Sequence, residues 1–192
     1  MKSLFIAAAA TLILAQSAIA AETKAAAPDA AGKTVVEPVS SEPQSTTANY
    51  GDWTLRCTRL GATANAAKVC EVIQSIGVQG QANPIAQLAF GYEEPKANLK
   101  FTAVLPVSVS FSGPITMATG DANPANLPMA WTRCLPEGCF ANTDVTKEVA
   151  TRMRSQTEKG QVSFKDGAAR DAVLPVSFRG LAEALDALDK AY

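Results

Sequence analysis

Two short runs of alternating polarity, each carrying a cysteine, set the terms for the rest of this chain. Trp53, Leu55 and Cys57 alternate with Asp52, Thr54 and Arg56. From about Lys68 to Val78, the residues Cys70, Val72, Gln74 and Ile76 share one face. Alternation with period two marks a half-buried strand. The small residues Gly61 to Ala66 form the loop between the runs, and Gly77, Gly80 and Asn83-Pro84 end the second. Two further cysteines, Cys134 and Cys139, flank Leu135-Pro136-Glu137-Gly138, where Pro136 and Gly138 suit a tight bend. Four cysteines admit three connectivities, of which Cys57–Cys70 with Cys134–Cys139 is the simplest.

The N-terminus puts these cysteines in an oxidising compartment. Lys2 is the only charge before Glu22, Leu4 to Leu14 is apolar, and Ala18-Ile19-Ala20 places small residues before a cut between Ala20 and Ala21. This is the pattern of a secretory signal peptide. The apolar run is about half the roughly 20 residues that a membrane span needs, so the mature chain is expected to have no transmembrane segment. Residues 21–49 contain no aromatic residue before Tyr50, and Pro28, Pro38 and Pro43 interrupt them. Their composition predicts a disordered Ala/Pro/Ser-rich linker ahead of a single domain over residues 50–192. In an exported chain the four cysteines are expected to be paired, which makes the protein disulfide-stapled.

The domain continues with strand candidates at Ile85 to Glu93 and Leu99 to Val104, and with a clean alternation through Leu105 to Gly113. In that stretch Val107, Val109 and Phe111 face one way and three serines the other. Ile115 to Thr119 follows, then an Asn- and Pro-rich loop over Asp121 to Pro128, then Met129, Trp131 and Arg133 alternating into Cys134. Val162 to Phe164 and Val173 to Phe178 also read as strands. One helix is expected from about Val145 to Ser155, capped by Thr143 or Asp144, and another from Leu181 to about Ala191. Leu-Pro-Val-Ser occurs at Leu105 and again at Leu174, and reads as two strand entries with an edge proline rather than as a duplicated half-domain. Short strands with regular turns and two peripheral helices predict a mainly β fold: an antiparallel β-sandwich or partly open barrel.

The composition narrows the chemistry. Histidine is absent, which removes Ser-His-Asp and Cys-His nucleophiles, a histidine base and histidine-ligated metals. The formal charge is −1, and −2 once the leader with its single lysine is removed. Such a chain has no electrostatic footprint for nucleic acid. Glu93 and Glu94 are adjacent and would point to opposite faces of a strand, so they do not converge. Asp121, Asn123 and Asn126 lack the ligand spacing of a calcium loop and read as turn residues. Trp53 and Trp131, among apolar neighbours, are expected in the core. The sharpest catalytic alternative is thiol redox chemistry at Cys134 and Cys139. Its four-residue spacing, in a strand-and-loop context, departs from the Cys-x-x-Cys at a helix N-terminus that such chemistry uses. The expectation is a non-enzymatic exported binding module with no cofactor and no metal, whose partner is an unknown protein or envelope component.

Several blocks, taken together, carry a family resemblance. They are Tyr50-Gly51-Asp52-Trp53-Thr54-Leu55-Arg56-Cys57, Cys70-Glu71-Val72-Ile73-Gln74, Leu105-Pro106-Val107, Arg133 to Cys139, and Leu174-Pro175-Val176-Ser177-Phe178-Arg179-Gly180-Leu181. In this order they resemble the invasion-associated locus B family of exported proteins from Gram-negative bacteria. The resemblance implies a periplasmic or outer-membrane-associated protein with a compact, mainly β domain, and some members of the family are linked to invasion of host cells. It implies no catalytic residues.

Overall fold

The computed structural model describes residues 41–94 and 97–192. The predicted leader, its cut between Ala20 and Ala21, and the linker as far as residue 40 lie outside the described residues. The elements are β1 (Ser45–Tyr50), β2 (Trp53–Arg59), β3 (Lys68–Ile76), β4 (Ala86–Tyr92), β5 (Leu99–Leu105), β6 (Val109–Ser110), β7 (Ile115–Ala118), β8 (Asn126–Leu135), β9 (Gly138–Val145), α1 (Lys147–Arg154), β10 (Gly160–Asp166), β11 (Asp171–Val176) and α2 (Leu181–Asp189). Neighbouring strands follow the order β1-β2-β3-β4-β5-β9-β8-β7-β10-β11, with β6 paired to β10. Every pairing is antiparallel.

β8 turns the corner. Its first half, Asn126 to Met129, pairs with β7, and its second half, Ala130 to Leu135, pairs with β9. The strand changes partner between Met129 and Ala130, and a register shift between Trp131 and Arg133 follows just past that point. The result is an open β-sandwich with two short helices, not a closed barrel. Its single core holds Trp53, Val72, Leu88, Phe90 and Phe101 from one layer, and Ile115, Met117, Val162 and Val176 from the other. α2 closes one side with a stripe of Leu181, Ala184, Leu185 and Leu188, all buried. Its spacing is that of one helical face.

The structure departs from the sequence reading at several places. The domain begins before Tyr50, because residues 45–49, expected in the linker, form β1 against β2. Of β1 only the terminal Tyr50 packs against the core, half-buried, so the ladder makes residues 45–49 a strand and no hydrophobic pattern announces them. Residues 138–145 form β9, in the middle of the sheet between β5 and β8. The strand runs to Val145, opposite Leu99, so α1 starts later than expected and its N-cap is Thr146, not Thr143 or Asp144. The Thr146 side chain accepts from the Val149 N–H at 3.3 Å. The expected loop ends at Ala125, and Asn126 already belongs to β8.

The alternation at 105–113 does not become a long strand. Only Val109 and Ser110 pair, with Asp166 and Lys165, while Val107 and Phe111 stand exposed. Pro106 lacks the N–H a continuing ladder needs, and the Gly113 backbone lies against the Lys165 side chain. The two Leu-Pro-Val-Ser copies are not equivalent, since Val107 is exposed and Val176 is fully buried. Trp53 is fully buried, whereas Trp131 is half-buried at the layer corner, edge-on to Phe111.

Candidate functional site

The first and last signature blocks meet. β1 and β2 are joined by the two-residue turn Gly51-Asp52, with Gly51 at φ +57°, as a hairpin turn with glycine first allows. The chain after β11 runs beneath this turn. The Asp52 N–H donates to the Arg179 carbonyl at 3.1 Å. A Cβ on Gly51 would lie 2.5 Å from the Arg179 oxygen, and one on Gly180 would lie 2.2 Å from the Tyr50 oxygen. The two glycines therefore mark one backbone contact seen from both sides. Trp53 Nε1 donates to the Ser177 carbonyl at 2.8 Å. Gln74, buried beside it on β3, accepts from the Ser177 N–H at 3.0 Å and donates to the same carbonyl at 3.3 Å. Ser177 Oγ donates to Asp52 Oδ2 at 2.6 Å, and Arg179 pairs with the same carboxylate. This clasp holds the two ends of the domain together.

The Arg179 guanidinium, then the Ser177 hydroxyl, hold the Asp52 carboxyl below its usual range. A depressed folded-state value means that Asp52 stabilises the fold above its unfolded value of about 4 and loses that contribution as pH falls through the folded value. Stability measured from pH 7 downward is therefore expected to fall below about pH 4, and less steeply in an Asp52→Asn variant. Identical acid profiles for the two proteins would contradict the clasp. Elsewhere, burial and then its bond to Asp189 push the Tyr92 phenol up to about 12. Asp121, Glu148 and Asp166 are lowered, and Lys100, Arg170 and Arg179 are raised. Each of these groups moves away from neutrality, the reverse of what a general acid or base at pH 7 requires.

The structure bonds Cys57 to Cys70, directly opposite on β2 and β3, and Cys134 to Cys139 across the β8–β9 hairpin. Among the described residues there is no free cysteine. Cys134 is exposed and Cys139 buried, and neither stands at a helix N-terminus. Closing a loop of this length contributes about 3 kcal/mol for Cys57–Cys70 and about 2 kcal/mol for the tighter bridge in the chain-entropy model. Replacing Cys57 and Cys70 together by alanine is expected to lower stability in urea melts by about 3 kcal/mol. A loss of less than about 1 kcal/mol would contradict this assignment. Asp121 is engaged by side chains: it accepts from Arg152 Nε and Gln156 Nε2, both at 2.9 Å, and from Thr119 at 3.1 Å. It fastens the loop before β8 to α1. Glu93 pairs with Lys100 at 2.6 Å.

Two concavities on the described residues matter here. One, of about 520 Å³, borders the clasp: of its polar lining, Asp52, Ser177 and Arg179 are engaged in the clasp, Arg154 pairs with Asp186 and Asp189, and Gln156 donates to Asp121. The other is a shallow trough of about 910 Å³ on the outer face of β2, β3, β4, β5, β9 and β8. Ladder register builds its floor, because Ile73, Ala89, Thr102 and Asn142 stand opposite one another in one row across four strands. Small side chains in the middle of this row leave the hollow. On one side stands a charged row with Arg56 paired to Glu71 at 2.6 Å and Lys100 beyond Gly91. On the other, Arg133 lies over the Phe140 ring, 5.1 Å from its centroid. The sequence reading named none of these positions as a site. Each is an ordinary outward residue of its own strand, and they are assembled by the register of successive strands and by the β5–β9 pairing, which brings in Asn142 from a distant part of the chain. A floor of mixed apolar and polar side chains with rims of both signs is the makeup of a protein-contact surface rather than of a polyanion site.

A model of the family described as Invasion associated locus B (IalB) protein matches residues 53–189. The crystal structure of invasion associated protein B from Bartonella henselae has this fold, with a TM-score of 0.63 and 18% identity, over 76% of this chain and 96% of that one. No curated protein matches the chain.

Proposed function

We start from the fact that this chain belongs to the invasion associated locus B family, and we propose that it is a periplasmic binding module whose outer trough docks another envelope protein. Membership makes it an exported, non-enzymatic envelope protein. Among the described residues no helix is long and apolar enough to cross a membrane. The finer reading is ours: the leader ends at Ala20, the mature chain begins at Ala21, the residues up to β1 serve as a spacer, and association with the outer membrane is made through the docked protein. The observation that carries the reading is the trough itself. Its floor and both rims come from six strands, and among the described residues the helices lie elsewhere, α2 over the inner side of the sheet edge.

The test is photocrosslinking in intact cells. A benzophenone side chain placed at Ala89, on the trough floor, is expected to capture a discrete protein. The same group at Val78, exposed in the β3–β4 loop outside the trough, is expected not to. The captured chain should carry an N-terminus at Ala21. Equal capture from both positions, or none from Ala89, would remove the proposal. Contact with a host surface is a special case of the same reading. It requires that protease added to intact cells reach the domain.

A further inference from the structure

We propose that β1 is a homotypic docking edge, through which two copies of this chain join their sheets by antiparallel β1–β1 pairing. A sheet that is not closed has two edges, and here they differ in kind. β11 carries Pro175 and the exposed Asp171, the proline and charge by which natural sheets discourage edge pairing. β1 reads Ser-Thr-Thr-Ala-Asn-Tyr, with no charge, no proline and no bulge. It is an unguarded strand, and its five leading residues are exposed.

The direction of its backbone groups follows from one bond. The Arg59 N–H donates to the Gln44 carbonyl at 2.9 Å, so Gln44 and Arg59 form a hydrogen-bonded pair. Alternation along an antiparallel ladder then turns Thr46, Ala48 and Tyr50 toward β2. The N–H and C=O groups of Ser45, Thr47 and Asn49 point away from the sheet. That outward set is symmetric about Thr47. If Thr47 faces Thr47 of a second copy, Ser45 faces Asn49 both ways, and all the outward groups are satisfied at once in about six hydrogen bonds.

The side chains suit the same match. Thr opposite Thr is a favourable cross-strand pair, and no like charges meet. The nearest acids, Glu42 and Asp52, are already paired with Arg59 and Arg179. In this register residues on the outer side of β1 meet residues on the outer side of its counterpart. The two troughs therefore open on the same face of one continuous sheet. The contact is independent of what the trough binds.

The test is sedimentation of the mature chain, purified from the envelope, across a concentration series. A monomer–dimer equilibrium is expected. Thr47→Pro, which removes an outward N–H that the β1–β2 ladder does not use, should weaken it about tenfold or more with the melting temperature retained. Should that variant fail to fold, Thr47→Lys and Thr47→Glu decide. Each alone should be monomeric or nearly so, because like charges then face each other, and an equimolar mixture should recover the dimer. A wild-type chain that stays monomeric throughout, a dimer indifferent to Thr47, or charge variants that do not complement would each overturn the proposal.

Discussion

Replacing Trp53 by alanine is expected to destabilise the domain by about 4 kcal/mol, in the range for emptying a fully buried aromatic site. That is a large part of the roughly 5–15 kcal/mol that holds a domain folded. The side chain has no exposed surface, and its ring lies 5.4 Å from Phe90, which in turn lies 4.8 Å from Phe101 on the neighbouring strand. Losing it opens a void at the head of this aromatic file and removes the bond from Nε1 to the Ser177 carbonyl. Trp53→Phe separates the two contributions. It keeps most of the packing and loses the bond, and Gln74 still donates to that carbonyl, so about 1 kcal/mol is expected from the bond alone. Urea melts of the two variants measure the difference. Equal losses would mean that packing contributes little and the clasp carries the effect.

Gly180→Ala is the second large effect. The residue sits at φ +82°, where a Cβ costs about 1–2 kcal/mol. That Cβ would also lie 2.2 Å from the Tyr50 carbonyl oxygen, and relieving such a contact by backbone shifts costs about 1–3 kcal/mol more. A total near 3–4 kcal/mol is expected, which lowers the melting temperature of a domain this size by about 10 °C. Gly80 provides the control. Its φ is +86°, but nothing lies within 4 Å of its Cβ position, so Gly80→Ala should show the conformational cost alone, about 1–2 kcal/mol. If the two variants melt together, the close approach between the two signature blocks does not exist in solution.

These effects explain why the signature residues cluster in the fold without forming a reactive site. Gly51, Asp52, Trp53, Gln74, Ser177, Arg179 and Gly180 touch one another and tie the first hairpin to the segment before α2. Their chemistry is consumed in holding backbone. The groups that face outward across the trough are less distinctive one by one.

How far the chain could be read from its sequence follows from the same physics. β2, β3, β4, β5 and α2 declare themselves because each buries one side and wets the other. Cys57 and Cys70 fall opposite one another because the loop between two such strands fixes their register. β9 was hidden by Thr143 and Asp144, which look like a helix cap in sequence but pair with β5. At Val107 and Phe111 alternation was present without burial, since a period of two records spacing and not what covers it. β1 left no pattern because its order comes from backbone bonds. The trough could not be read at all, because its floor joins residues as far apart in sequence as Ile73 and Asn142.

The central claim is that the inner clasp makes the fold and the outer trough makes the contact. It is tested most directly by placing the benzophenone at Ala89 and adding Thr102→Arg, beside it on the trough floor, while following both capture and melting temperature. The account predicts that the arginine abolishes the adduct and leaves the melting temperature within a few degrees of the parent, as an outward sheet position should. An adduct of undiminished yield, with the arginine filling the trough, would contradict it.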